Sequence, residues 1–387
     1  MTDIALLKGP NLRHDGNVAI WEALNKRSEF NVVAFASEPP RFDHENIDLP
    51  VRELSWPDGK YDLFGYEHFL FRAIRKARFP PGFLRDVRSV CEEFDIVHTS
   101  ENFNLFSIQT ALATRNTDTT FAFHASKNIP YPRSQHNPLL WQLKKFTNRQ
   151  ADGITATTIL DKRALIHEGV SHEKISVLPN SVDLSLFEPL ESPDYDAVGL
   201  DTSFRETTNI LFVHKLCEQK GTAYLLDAFE SLQSEYDDLR LILVGENRLD
   251  GVVEQRIDTN DAIRWLEFVP FEKMVDLYNC ADLTVLPSVT MTNNEEQFGM
   301  AVLEAMACGI PSVVTDVGGI PTVVTEDETS LVVDERDSAQ LAAGIEQLVT
   351  SPKQRTQMGE NARKRAVSVF DSETIAESLA EFYRKIQ

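Results

Sequence analysis

Glu296 and Glu304 stand eight positions apart in the stretch Glu296-Gln-Phe-Gly-Met-Ala-Val-Leu-Glu304. The first follows a polar loop, Met291-Thr-Asn-Asn-Glu, and the second lies inside an apolar run with helical character. Gly299 falls between them, where a helix should begin. Residues 283–288 before it read as a strand, and Gly309-Ile-Pro-Ser-Val-Val-Thr-Asp316 after it reads as a helix stop and a second strand. That order places a helix N-terminus at the carboxyl end of a parallel strand, where open α/β sheets bind ligands. Free backbone N–H groups there favour a phosphate. Carboxylates on either side suit the hydroxyls of a sugar and of a ribose, and a nucleotide-sugar has both, with a diphosphate between. The competing reading is a surface loop followed by an ordinary amphipathic helix.

The rest of the chain supplies elements able to hold such a site. Its 387 residues exceed what one core usually supports, so two domains are expected. Strand-like and helix-like segments alternate almost throughout, which is the rhythm of doubly wound sheets. The Pro- and Asp-rich stretch Glu188-Pro-Leu-Glu-Ser-Pro-Asp-Tyr-Asp lacks periodicity and reads as a linker over 188–204. The expected division is a first domain over 1–187, a second over 205–366, and a terminal helix over 367–387.

Composition narrows the function. The formal net charge is −22, the opposite of a general nucleic-acid binder. An acidic surface of this kind is compatible with a salt-adapted (haloarchaeal) proteome, and also with many mesophile proteins. The four cysteines form no CxxC pair or zinc spacing, and Cys91, Cys280 and Cys308 sit in apolar contexts that suit a core. No run of 18 apolar residues and no leader-like N-terminus is present, so the expectation is a cytoplasmic chain, with any contact at the cytosolic membrane face peripheral.

Together with Phe298-Gly299, Glu304-Ala-Met-Ala-Cys-Gly309 and Gly318-Gly319, the two glutamates resemble the Glu-x7-Glu signature of the retaining GT-B glycosyltransferases of family 4. The resemblance covers nearly the whole chain and is densest over 209–333. It implies two Rossmann-like doubly wound domains, with a C-terminal helix crossing back to the first. It implies transfer of a hexose-type sugar from a nucleotide-diphospho-sugar, with neither cofactor nor metal. Glu304 would hold ribose hydroxyls and Glu296 sugar hydroxyls, and the backbone of Phe298, Gly299, Met300 and Ala301 would face the donor. Lys215 and Lys220, in Phe212-Val-His-Lys-Leu-Cys-Glu-Gln-Lys220-Gly221, would neutralise the diphosphate. The family carries Gly-Arg where this chain has His214-Lys215, and Lys keeps the charge but loses the bidentate fork. His124, ending a strand, would lie against the donor sugar. Gly16 matches only half of the family's glycine pair. Asn247 and Thr322 also depart from the family pattern.

Residues 69–88 carry Arg72, Arg75, Lys76, Arg78, Arg85 and Arg88 against one Asp, with aromatics interleaved. Two readings stand: a surface for a membrane or a polyprenyl- or dolichyl-phosphate-linked acceptor, and a basic helix face paired with acidic neighbours. For the whole chain, surface-glycan or protein-glycan assembly competes with a non-catalytic sugar-nucleotide scaffold or an enzyme such as a nucleotide-sugar epimerase.

Overall fold

Short runs of apolar, β-branched residues bounded by turn residues form thirteen strands among the described residues, and every strand pairing is parallel. The computed structural model describes residues 1–9, 12, 16–38, 47–55, 84–130, 137–249, 251–292 and 294–387. Of the basic stretch, Arg72, Arg75, Lys76 and Arg78 fall outside the described residues. The chain divides into Met1–Ser181 with Ser372–Gln387, and Val182–Asp371.

In the first unit the strands are β1 (Thr2–Gly9), β2 (Phe30–Glu38), β3 (Val51–Ser55), β4 (Ile96–Ser100), β5 (Thr120–Ala125), β6 (Gly153–Ala156) and β7 (Ile175–Val177). Their spatial order is β3-β2-β1-β4-β5-β6-β7. The helices are α1 (Gly16–Asn25), α2 (Val87–Glu93), α3 (Leu105–Ala113), α4 (Pro138–Gln150) and α5 (Ile159–His167). Both faces of the sheet are covered, so β4 (Ile-Val-His-Thr-Ser) is buried over its first four residues and β6 (Gly-Ile-Thr-Ala) throughout, polar residues included. One face, with Leu6, Ala34 and Ala122, packs under α1 and the C-terminal helix Ser372–Ile386. That helix sits tightly on the sheet because position 153 is glycine, where a Cβ would come within 2.6 Å of Phe382.

The second unit contains β8 (Thr208–Val213), α6 (Thr222–Gln233), β9 (Leu239–Val244), α7 (Val252–Asp258), β10 (Ile263–Leu266), α8 (Met274–Asn279), β11 (Leu283–Leu286), α9 (Met300–Ala307), β12 (Ser312–Thr315), α10 (Ile320–Val323), β13 (Ser330–Val333), α11 (Ser338–Thr350) and α12 (Pro352–Val369). The strand order is β10-β9-β8-β11-β12-β13. The chain builds outward from β8 through β9 and β10, then returns to β11 on the other side of β8. The connections after β8 and β11 therefore diverge at the carboxyl edge, leaving a crevice. The terminal helix of the first unit, Ser372–Ile386, is α13.

The unit boundaries differ from the sequence expectation. The first break falls at Ser181/Val182, ahead of the anticipated linker. The 188–204 stretch packs onto the second unit: Val198, Leu200 and Phe204 are buried in its core, and the Leu190 N–H donates to Asn279 Oδ1 at 2.8 Å. Its regular structure is limited to short 3-10 turns at Asp196–Val198 and Thr202–Glu206, but three apolar side chains still anchor it. The second break falls at Asp371/Ser372, so all of α12 belongs to the second unit.

Candidate active site

The crevice at the carboxyl edge of β8 and β11 brings together Lys215, Lys220 and Glu296, three of the residues singled out in the sequence. His214 and Lys215 follow β8 directly. A short turn brings Lys220 back, and Gly221 then opens α6. Lys220 is buried and its Nζ forms an ion pair with Glu296 Oε2. Ser288, just beyond β11, donates to the same carboxylate oxygen at 3.1 Å, and the Gln297 N–H donates to Oε1 at 3.2 Å. His214, Lys215, Lys220, Arg248, Glu296 and Gln297 line one open cleft.

The Glu296 backbone is fixed as tightly as its side chain. The Gly319 N–H donates to Glu296 O at 2.9 Å. A Cβ on Gly319 would lie 2.0 Å from Gln297 O, so the glycine turn after β12 is what lets the two loops touch. The turn after β11 is packed in the same way from the other side, since a Cβ on Gly221 would lie 1.8 Å from Pro287 O. Gly299, at φ 94°, is the cap of α9 and has no side chain to bond the N–H groups of that helix start. A phosphate is the natural ligand of such an end.

Burial opposes charge on Glu296, but the neighbouring Lys220 ammonium, His214 and two hydrogen bonds outweigh it and hold its carboxyl below the usual range. His214 is pushed down to about 4, first by burial and then by the positive charges of Lys220 and Lys215. It is therefore a neutral imidazole at neutral pH. Its Nδ1 accepts from the Lys215 N–H at 3.0 Å.

Glu304 lies on α9, apart from the side chains that line this cleft. The hydroxyl of Tyr278, on α8, donates to Glu304 Oε2 at 2.7 Å. Tyr278 is fully buried, and burial beside the Glu304 charge raises its phenol well above the ordinary value. The carboxylate is thus held by an immobile donor. Sequence spacing found Glu304 but not Tyr278, which is 26 residues away and reads as a core aromatic.

The substituted positions have local roles. Asn247 Oδ1 accepts from the Leu249 N–H at 2.9 Å, and Asn247 pairs with Leu216 in an isolated parallel bridge. Thr322 Oγ1 donates to Gly319 O at 2.6 Å, bracing the glycine turn.

His124 belongs to the first unit, at the end of β5. Its Nδ1 lies 2.9 Å from Thr155 Oγ1 and its Nε2 lies 3.0 Å from Thr157 Oγ1. Burial, reinforced by the positive charge of Lys8, takes it down to about 3, so it too is neutral. A neutral ring with both nitrogens engaged is an oriented dipole, not a proton donor at neutral pH. Thr155 lies in β6 and Thr157 just beyond its end, an alternation that sequence reading passed over. Gly16 opens α1 beside residues that lie outside the described ones. Arg85 and Arg88 flank and begin α2, and Arg88 pairs with Glu92 at 2.9 Å. Among the described residues no helix is long and apolar enough to cross a membrane.

Residues 202–365 match the model for glycosyl transferases group 1, and residues 20–186 match that for glycosyltransferase family 4. The chain is 29% identical over 257 residues to alpha-maltose-1-phosphate synthase of Mycolicibacterium smegmatis, covering 61% of this chain and 64% of that protein. It is 30% identical over 253 residues to D-inositol 3-phosphate glycosyltransferase of Pseudarthrobacter chlorophenolicus, covering 62% and 58%. The alignments thus span less than two thirds of the length of these curated relatives. In fold, it is similar to Anabaena HepE crystallised with UDP, at a TM-score of 0.76 and 20% identity over 99% of this chain and 100% of that one. It is also similar in fold to sucrose-phosphate synthase from Thermosynechococcus elongatus, at a TM-score of 0.74 and 20% identity over 100% and 99%.

Proposed function

Because the chain belongs to the GT-B glycosyltransferases of family 4, we propose that it moves a hexose-type sugar from a nucleotide-diphospho-sugar to a glycan or lipid-linked glycan acceptor, with retention at the anomeric carbon. The observation that carries this reading is the Lys220–Glu296–Ser288 cluster at the point where the second sheet reverses its strand order. It sets a cation for phosphate beside a carboxylate for hydroxyls, next to an uncapped helix start.

In this reading the diphosphate lies between Lys215, Lys220 and the N-terminus of α9. Its charge draws the Lys220 ammonium, and Glu296 then accepts hydroxyls of the transferred sugar. Glu304 accepts the ribose hydroxyls with its carboxylate held by Tyr278. As the bond from the anomeric carbon to the diphosphate breaks, the lysines and backbone N–H groups stabilise the charge gathering on the leaving oxygen. That oxygen takes the proton of the acceptor hydroxyl, which attacks from the same face. The lysines supply the positive charge that a metal provides elsewhere, so turnover is proposed to be insensitive to EDTA.

Thermal shift across UDP-, GDP- and ADP-sugars, wild type beside Glu304→Ala, tests the donor site. A shift with one nucleotide class that disappears in the variant supports it. No shift with any of them counts against it and favours a non-catalytic scaffold. The anomeric configuration of product, read by proton NMR, tests retention.

A further inference from the structure

The donor reading uses the crevice of the second sheet, and the first sheet has one of its own. There β2 and β3 lie on one side of β1 and β4 on the other, so the connections after β1 and β4 diverge at the carboxyl edge. Glu101 is the first residue beyond β4 and stands at the rim of this crevice, half-buried. Its φ is +60°. That left-handed region suits glycine, asparagine and aspartate, and it strains the backbone of a longer side chain. Such strain persists only where the surroundings impose it, and it gathers where a side chain must be held for a ligand.

Both neighbours of Glu101 are pinned. On one side, Asn104 Nδ2 donates to Ser100 O at 2.7 Å and Ser107 Oγ donates to the same oxygen at 3.1 Å. On the other, Asn102 is buried, and its Nδ2 donates to Asn148 Oδ1 at 2.8 Å and to Glu168 Oε2 at 3.4 Å. Glu168 ends α5 and forms a buried ion pair with Lys144 of α4. A pair withdrawn from water adds little net stability, and no step proposed above uses it. What it does is anchor Asn102 from two helices at once, and Glu101 takes the strain between the two fixed points. The bonds of Glu101 then aim its side chain. Its N–H donates to His124 O at 2.7 Å, and its Oε1 accepts from the Ser126 hydroxyl at 2.6 Å and the Ser126 N–H at 3.2 Å. Its Oε2 accepts no bond from a described residue.

A carboxylate with one oxygen engaged and one open takes a hydrogen-bond donor or a cation. A divalent cation needs several oxygen ligands, and no group of three acidic, histidine or cysteine side chains able to hold one exists among the described residues. The Ser126 hydroxyl already shows the chemistry that Glu101 accepts. We propose that Glu101 binds hydroxyls of the terminal sugar of the acceptor glycan, that this sugar is uncharged, and that Asn102 is the positioning residue, held by Asn148, Glu168 and Lys144. A carboxylate or phosphate on that sugar would meet the Glu101 charge and be rejected. The proposal rests on the reading of the chain as a transferase to a glycan, and adds a choice among acceptors that the donor site cannot make.

Saturation-transfer NMR on the full chain provides the test, with the methyl glycosides of glucose, mannose, galactose and N-acetylglucosamine beside those of glucuronic, mannuronic and galacturonic acid. The expected result is binding of at least one neutral glycoside to the wild type, with the acidic glycosides bound about tenfold more weakly. Glu101→Gln keeps an acceptor for Ser126 and should raise the half-saturating concentration of the neutral glycoside about tenfold, the loss of one charge-assisted bond, while closing the gap to the acidic ones. Glu101→Gly removes the backbone strain together with the carboxylate, so its urea midpoint should stay near that of the wild type while binding is lost. Asn102→Ala should weaken glycoside binding and leave the thermal shift with nucleotide-sugars unchanged. Binding of no neutral glycoside, equal binding of neutral and acidic glycosides by the wild type, or wild-type binding by Glu101→Gln overturns the proposal. Thermal shift with nucleotide-sugars, read on wild type and Glu101→Gln alike, shows failure of the donor reading separately, and a shift lost in that variant overturns the acceptor assignment.

Discussion

Lys220 and Glu296 are separated by 76 positions in sequence and meet as a buried ion pair, with side chains 9% and 10% exposed. Neither charge would be tolerated there alone. Glu296→Gln leaves the ammonium without its counter-charge and is expected to cost about 3–5 kcal/mol of unfolding free energy. Lys220→Met should cost a similar amount. The double variant Lys220→Met with Glu296→Leu should be less destabilised than the sum of the two singles, because no unpaired charge remains. Urea unfolding of the four proteins measures this. Additive losses would show that the two side chains act independently and that the pair does not hold the crevice together.

The histidines make stability pH-dependent in a defined direction. His214 and His124 are lowered to about 4 and about 3 from an ordinary value of 6.5. Below pH 6.5 the unfolded chain binds protons that the folded chain refuses, so stability falls as pH drops from about 6.5 toward 4 and then 3. Glu296 acts in the same sense but lower: its depressed carboxyl contributes stability above the ordinary carboxylate value, lost as pH falls through the folded one. The urea midpoint should therefore decline below pH 6.5, and His124→Asn should flatten that decline. An unchanged slope in the variant would mean that His124 titrates normally in the folded chain.

The sequence made one half of the crevice legible and hid the other. Glu296, Gly299 and Glu304 were readable because they sit within one strand–loop–helix unit, where spacing translates directly into geometry. The partners that fix them were not. Ser288 looks like a turn residue, and Tyr278 looks like core, because contacts across 8 and 26 positions depend on how elements pack. The alternation of strands and helices exposed the two doubly wound sheets, but the 188–204 stretch misled. Its proline and aspartate content reports the absence of strands and α-helices, not the absence of packing, and only the burial of Val198, Leu200 and Phe204 distinguishes the two. Glu101 was invisible for a similar reason: Asn148 and Glu168, which pin its neighbour Asn102, lie 46 and 66 positions from that residue.

Tyr278→Phe separates the positioning of Glu304 from its charge. The variant keeps the ring in the core and removes only the hydroxyl that donates to Oε2 at 2.7 Å. Because Glu304 is only half-buried, water can replace part of the bond, and the expected stability loss is about 1–2 kcal/mol. If the ribose role is right, the loosened carboxylate raises the donor KM several-fold while kcat stays nearly constant, the pattern of lost uniform binding. Steady-state kinetics at varied donor concentration decides it. An unchanged donor KM would place Glu304 outside the ribose site.

Two glycines give opposite expectations from φ and from space, and the contrast tests how the crevice is built. Gly169 has φ +89° and no atom within 4 Å of where a Cβ would sit, so Gly169→Ala meets only backbone strain, about 1–2 kcal/mol. Gly319 has an ordinary φ of −80°, so alanine is conformationally acceptable there. Its Cβ, however, would lie 2.0 Å from Gln297 O and 3.1 Å from Phe298 Cα, backbone atoms that cannot swing aside as a side chain would. Relief requires the 296–298 loop to retreat, breaking the bond from the Gly319 N–H to Glu296 O. Gly319→Ala is therefore expected to cost at least about 3 kcal/mol and to weaken donor binding, while Gly169→Ala leaves donor binding unchanged. Unfolding and nucleotide titration of both variants measure the two effects together. Wild-type donor affinity in Gly319→Ala would mean that Glu296 holds its place without the glycine turn.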